Sequence, residues 1–434
     1  MNKISNYQTV SPELRPGLTY LLQGALLLLL AVLVTASPLS AGSGMTSGRS
    51  AAMGGAYLSL ADGAEAARFN PANLGLVGYQ VNSLEVLGLG ASIANNSFSL
   101  DDYNTYTGAF LTNSDKNYIL SKIPDDGLMV SADIQASALS VSYGAMAFST
   151  AAVGIADINL NKDLIDLVLN GNTFADTIEI TGSYSEAVSY ASFGLSYGHQ
   201  VYSNRGRQLA VGGTIRYLRG IAVEEIVELE GLAATFETGF TGQGRMVART
   251  AAGGSGYAID IGAALRINES YTAGVTFKNF ISHVSWNNNC EEHGYLFSFD
   301  TMTVDNMEDD FVVTDDYSRE TGAFSSNLPS VMTVGVAHVK GPWIWAADWE
   351  QGFRRAAGAS GKPRLSAGVE YSPLTWCPVR AGFAAGGNKN TRFSFGSGVD
   401  FSAYYFDFAF ITGSSLSPSS SKGLNFAVST GVRF

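Results

Sequence analysis

From about residue 84 to its last position the chain alternates between two kinds of side chain. At the end, Leu424, Phe426, Val428, Thr430, Val432 and Phe434 share one face of an extended segment, while Asn425, Ala427, Ser429, Gly431 and Arg433 share the other. A period of two rather than 3.6 predicts strands. The split recurs where Phe393, Phe395, Val399 and Phe401 oppose Arg392, Ser394, Gly396, Gly398 and Asp400. It recurs again where Leu365, Ala367, Val369 and Tyr371 oppose Arg364, Ser366, Gly368 and Glu370. Further back, Tyr257, Ile259, Ile261 and Leu265 oppose Asp260, Gly262 and Arg266, and Phe193, Leu195 and Tyr197 oppose Ser192, Gly194, Ser196 and Gly198.

Alternation suits a soluble sandwich as well as a barrel in lipid, so the faces must be oriented by other means. Charged residues are 15% of the chain, against roughly 25% in soluble domains. Beyond residue 41 no run of 18 apolar residues occurs, although the mean hydropathy is positive at +0.10. A barrel reconciles the two, because a strand crosses a bilayer in about 9–11 residues and hides its apolar signal in alternation. Aromatics gather at strand ends, among them Trp343, Trp345, Trp349, Tyr371, Trp376 and Tyr404. The expected fold is all-β: a transmembrane antiparallel barrel of about 14 strands.

Connection lengths follow the same plan, counted backward from Phe434 on the periplasmic side. Residues 412–422, 386–390 and 352–363 read as outer loops, and the turns at Asp400, 372–377 and Gly341-Pro342 read as inner ones. The count loses its footing at 303–330, where 311–314 is open between loop and extra strand.

The other end is built differently. Lys3 and Arg15 precede the apolar run 26–34, Pro38 breaks it, and Ala41 offers a cleavage site, so residues 1–41 read as a signal peptide for export. Residues 47–76 then crowd Gly and Ala together, with 62–68 fit for about two helical turns before Asn70-Pro71 forces a bend. This gives three parts: signal peptide 1–41, a compact non-barrel segment 42–80, and the barrel 81–434.

Several constellations carry candidate chemistry. Residues 161–171 form a short amphipathic helix, capped by Asn161 and ended by Gly171, whose stripe Leu164, Leu167 and Val168 can serve a hydrophobic groove or pack on the barrel rim. Polar-face charges of both signs (Arg216, Asp260, Arg266, Arg364, Glu370, Arg392 and Asp400, with Lys278, Asp348, Glu350, Arg380 and Arg433) suit pairing across a lumen. Acidic residues at 305–316 lack the spacing of a defined calcium loop and read as a solvated loop. Cys290 and Cys377 have neither redox nor zinc spacing. No GxSxG or HExxH motif occurs, so neither enzyme, metal nor cofactor is expected. A net charge of −12 argues against nucleic acid.

The stretch Gly48-Arg49-Ser50-Ala51-Ala52-Met53-Gly54-Gly55-Ala56, then Ala61-Asp62-Gly63, then Asn70-Pro71-Ala72-Asn73-Leu74, resembles the N-terminal hatch of the FadL/TodX outer-membrane transport superfamily, which includes PorV-like and TraF-like barrels. Over these 30 or so residues the resemblance implies a hatch folded inside a 14-stranded barrel, with Asn70, Pro71, Ala72, Asn73 and Leu74 as gating candidates. It implies an outer-membrane location among lipid and lipopolysaccharide, and passive transport of a hydrophobic, long-chain fatty acid-like molecule. The alternative is a non-conducting PorV-like barrel that docks or assembles a protein of a secretion or envelope system.

Overall fold

The computed structural model describes residues 45–171, 177–179, 181–237, 239–302, 313–354, 356, 358–387 and 391–434. The expected signal peptide at 1–41, and Asp305, Glu308, Asp309 and Asp310 of the acidic stretch, lie outside the described residues.

Fourteen strands close into one antiparallel barrel. In chain order the staves are β1 (Ser83–Asn95), β2 (Leu128–Tyr143), β3 (Met146–Leu160), β5 (Tyr184–Asn204), β6 (Arg207–Phe236), β7 (Gly239–Arg266), β8 (Tyr271–Trp286) and β12 (Val331–Lys340). They continue through β13 (Trp343–Gly352), β14 (Arg364–Leu374), β15 (Cys377–Gly386), β16 (Arg392–Asp400), β17 (Tyr404–Gly413) and β18 (Gly423–Arg433). Each pairs with the next, and β18 returns to β1 in register from Ser83↔Arg433 to Ala94↔Gly423. Closure leaves no stave with an open edge.

The faces orient as an inside-out protein. Outward side chains are large and apolar, such as Leu195, Ile215, Leu365 and Phe426 at 63, 66, 61 and 53% exposure. Their inward neighbours are polar and buried, such as Ser196, Thr214, Ser366 and Asn425. In water this would expose a continuous greasy belt; in lipid it is the low-energy arrangement.

Six connections of two to four residues, at 144–145, 205–206, 267–270, 341–342, 375–376 and 401–403, share the barrel end where β1 begins and β18 stops. The other connections carry the bulk. The 96–127 connection holds two helices, α3 (Leu100–Tyr106) and α4 (Asn113–Lys122), and the 161–183 connection holds α5 (Lys162–Asn170) and the short strand β4 (Thr177–Glu179). The β6–β7 ladder runs on to Phe236↔Gly239. At 30 residues β6 is roughly three times the length a strand needs to cross a bilayer. Past the end of β8, strand β9 (Glu291–Met302) takes over the edge of β7, β10 (Val313–Glu320) adds to β9, and the short β11 (Phe324–Ser326) pairs with β8; of the residues left open between loop and strand, Val313 and Thr314 enter the sheet projecting beyond the barrel, and 311–312 lie outside the described residues.

At the short-turn end the outward rings stack in a row within β13 and across to its neighbouring staves. Tyr271 lies on His338 at 4.1 Å, His338 on Trp345 at 5.4 Å, Trp345 on Trp343 at 5.9 Å, and Trp343 on Tyr371 at 4.2 Å. Amphipathic rings in a row suit a membrane–water boundary. Among the described residues no helix is long and apolar enough to cross a membrane. Cys290 is buried near Trp286 at the long-connection end, while Cys377 opens β15 at the other, and both thiols are free.

Candidate functional site in the barrel lumen

Residues 45–82 line the inside of the barrel before β1 begins. Two short helices, α1 (Gly48–Ala52) and α2 (Gly63–Phe69), are followed by a 3₁₀ turn at Pro71–Gly75. Ser47 caps α1 by accepting from the Ser50 N–H, and Asn70 caps the turn by accepting from the Ala72 N–H, with Pro71 placed where no N–H is needed. The segment has little hydrophobic bulk of its own: Met53, Tyr57, Leu60 and Phe69 pack with Ala337 and Ala346 of the wall, smaller clusters set its alanines, Leu74 and Leu76 against wall alanines and Ile411, and close backbone approaches fill in between.

Those approaches explain the alternating glycines. A Cβ on Gly262 would run into Asn70 Oδ1, one on Gly274 would lie 2.8 Å from Asn70 Nδ2, and one on Gly212 would lie 2.5 Å from the Ala72 nitrogen. Gly198 meets Gly75, Gly368 meets Met53 and Gly382 meets Gly54 in the same way. The wall keeps hydrogen where the inner segment leaves no space for a methyl.

Polar contacts complete the grip. Asn70 Nδ2 donates to the Ala263 carbonyl at 3.1 Å. Asn73 Nδ2 donates to the Leu58 and Ala61 carbonyls at 3.0 and 2.8 Å, tying the turn back onto the segment. Asp348 on β13 accepts the Tyr57 and Leu58 N–H groups at 2.8 and 2.9 Å. Arg49 pairs with Glu370 on β14, Glu370 with Arg380 on β15 at 2.6 Å, and Arg380 with Asp407 on β17 at 2.6 Å. Arg68 reaches Glu85 on β1 at 2.6 Å. Charges removed from water in this way persist only when paired and hydrogen-bonded.

The sequence candidates distribute as follows. Asn70, Pro71, Ala72, Asn73 and Leu74 are all buried at the wall of β5, β6 and β7. Arg216 pairs with Asp260 at 2.8 Å and also donates to Asn279, a non-glycine residue at φ 50°. Arg266 Nη1 donates to the Val77 carbonyl at 2.8 Å, and Arg364 pairs with Glu350 at 2.9 Å. Asp400 sits at the short-turn rim on Arg433, at 2.7 Å. Glu370 belongs to the Arg49 chain, while Arg392 has no hydrogen bond or ion pair among the described residues. Missed in the sequence were Arg49, Arg68 and Glu85; the signal was two arginines inside a Gly- and Ala-rich stretch, which need carboxylates opposite.

The long-connection half of the lumen has two characters. Toward β3, β5, β6, β7 and β8 it is filled by Tyr190, Leu218, Val223, Val284, Trp286 and Leu328, with Trp286 Nε1 donating to Ser326 at 2.9 Å. Toward β13, β14 and β16 lies a cavity of about 110 Å³ with both polar and apolar walls, floored by Gly54 and Gly55 and covered by Gly358, Ala359 and Ser360. Beyond the barrel, α3 and α4 each begin with a reciprocal capping box, Ser99 with Asp102 and Thr112 with Asp115. The α5 helix packs beside α4, with Leu164 and Leu167 half-buried and Val168 46% exposed. Among the described residues no three His, Cys, Asp or Glu side chains are grouped to hold a metal.

Fold and lumen together define a fourteen-stranded antiparallel barrel that holds its own N-terminal segment inside. A similar fold occurs in the toluene transporter TodX of P. putida, which is 14% identical and matches 92% of this chain and 99% of its own at a TM-score of 0.51. The Ralstonia pickettii toluene transporter TbuX is 15% identical, with the same coverage and TM-score. Residues 80–239 match a family of unknown function, DUF5723. A comparison with curated proteins finds no match. The likeness to the two transporters is one of fold.

Proposed function

We propose that the protein is a passive outer-membrane channel for hydrophobic small molecules, with residues 45–80 as its hatch, short turns facing the periplasm and long connections facing outward. One observation carries this reading. The inner segment is joined to the wall by side-chain bonds, ion pairs and glycine contacts, and none of its bonds belongs to the ladder that closes the barrel. It can therefore shift while all fourteen staves stay paired. The fold shared with two toluene transporters supports the choice of cargo class, as does the apolar filling around Trp286 and Leu218. In this reading Asn70–Leu74 are the part of the hatch that moves, and Leu164, Leu167 and Val168 belong to the outer capture surface.

The test is uptake by whole cells of an aromatic hydrocarbon and, separately, of a long-chain fatty acid, with the full-length protein and with residues 45–80 deleted. Faster entry of either probe with the full chain than without the protein, altered by the deletion, is the expected result. Equal entry in all three cases rejects the reading.

A docking role is favoured by one separate feature, the sheet of β6, β7, β9 and β10 that projects past the barrel, whose outer strand β10 pairs on one side only among the described residues. Recovery of one stoichiometric envelope protein with the barrel, lost on shortening the β6–β7 hairpin, would select it.

A further inference from the structure

We propose that the arginine-lined cavity above the inner segment is a binding site for a compact monocarboxylate, held between Arg392 and Arg364. The proposal goes beyond the transport reading, since the site stands whether or not a molecule crosses the barrel.

The argument is an inventory of donors and acceptors. Arg392, at the start of β16, lines the cavity and has no hydrogen bond or ion pair among the described residues. Arg364, at the start of β14, lines it too; its Nη2 donates to Glu350 at 2.9 Å, but its buried Nε–H has no acceptor. The anionic groups of the wall already have partners: Glu350 has Arg364, and Asp157 accepts the Gly358 N–H at 3.0 Å. Lys362 is likewise engaged, with Asp126 at 3.3 Å. Among the described residues the cavity is therefore left with one whole guanidinium and one further N–H that have no acceptor. A carboxylate answers both, because its two oxygens match a guanidinium fork and still accept from a second donor.

Charge and size narrow the ligand. Glu350 and Asp157 border the same space, so a dianion would meet two carboxylates, whereas a monoanion meets the surplus cation. A neutral hydrocarbon would leave the Arg392 guanidinium and the Arg364 Nε–H without an acceptor, the arrangement buried polar groups resist most. A cavity of about 110 Å³ holds a headgroup and a few carbons. The carboxylate comes either from a small free acid or from the head of a longer amphiphile whose tail leaves toward the outer opening.

The experiment titrates full-length protein, in a carboxylate-free detergent, with acetate, acetamide, octanoate and octanol, followed by calorimetry. Acetate and octanoate should bind, more weakly as NaCl is raised, and acetamide and octanol should not compete. Arg392→Gln should lower carboxylate affinity at least about tenfold, and Arg392→Lys should recover part of the loss. Acetate bound within about threefold of octanoate assigns the site to small acids, and octanoate bound about thirtyfold tighter or more assigns it to an amphiphile head, at about 1.4 kcal/mol per tenfold. Removing an unpaired cation leaves the barrel intact, and the wild-type comparison of charged with neutral ligands is independent of any variant. The proposal is overturned if acetamide binds as well as acetate, if Arg392→Gln binds carboxylates like the wild type, or if neither acid binds.

Discussion

Arg49 grips both carboxylate oxygens of Glu370, Nε to Oε2 at 2.8 Å and Nη2 to Oε1 at 3.0 Å, across a separation of 321 residues. It is a bidentate polar link between the inner segment and the wall, and Arg380 holds the same carboxylate from the neighbouring stave. Arg49→Met should therefore weaken the seat of the segment without stranding Glu370, at a cost of roughly 1.5–3 kcal/mol for the charged hydrogen bonds lost. In planar bilayers the variant should show more frequent or larger conductance steps than the wild type. Identical traces would mean that this pair does not hold the lumen shut.

Gly262 offers a steric test of the same contact surface. Its absent side chain makes room for the Asn70 carboxamide, so Gly262→Val should push the Asn70 turn off the wall and expose the Arg68 bond to trypsin. Gly213→Ala is the control: a Cβ there meets nothing nearer than 3.5 Å, and its effect should stay within about 0.5 kcal/mol. Cleavage at equal rates in the two variants would show that the glycines do not mark the seat of the segment.

The outer helices should respond to acid. Burial raises the Asp102 carboxyl, but the Ser99 N–H and hydroxyl and the Tyr118 hydroxyl outweigh it and hold the group below the usual carboxylate value; the Thr112 hydroxyl and N–H do the same for Asp115. A depressed folded-state value means that the capping boxes contribute fully above the ordinary carboxylate range near pH 4 and lose their contribution as pH falls through the lower folded values. Amide protection factors in 100–122, taken relative to the intrinsic exchange rate at each pH, should be unchanged from pH 7 to pH 5 and fall below about pH 4. Loss of protection already at pH 6 would contradict this.

Trp286 is fully buried beside Gly220, where a Cβ would lie 2.6 Å from its ring. Trp286→Ala should cost about 3–5 kcal/mol, read as a fall in the thermal midpoint in detergent. A fall of less than a degree would show that this half of the lumen is loosely packed.

How much of this was legible depends on which force set each feature. Phe426 against Asn425 and Phe395 against Ser394 showed strand and face directly, because the solvent on each side selects residue type with period two. The turn at Gly341-Pro342 was equally plain. The helices at 100–106 and 113–122 were overlooked because their stability lies in the Ser99–Asp102 and Thr112–Asp115 caps and not in an apolar stripe. The lumen charges were visible as residues but not as pairs: Glu370 lies beside Arg380 through strand register, and beside Arg49 only through the path of the inner segment. That Arg392 has no hydrogen bond or ion pair among the described residues follows from three-dimensional placement, to which alternation is blind.

The central claim is that the inner segment is a movable gate, and a reversible lock tests it most directly. With Cys290 and Cys377 replaced by alanine, cysteines at Ala72 of the segment and Ala210 of the wall, which share one buried cluster, offer a lock that adds no side chain where the wall keeps a glycine. Uptake of a hydrophobic probe should stop when the pair is oxidised and return to the starting rate on reduction. Equal uptake in the oxidised and reduced protein would contradict the account, because the segment would then be a fixed part of the barrel and not its gate.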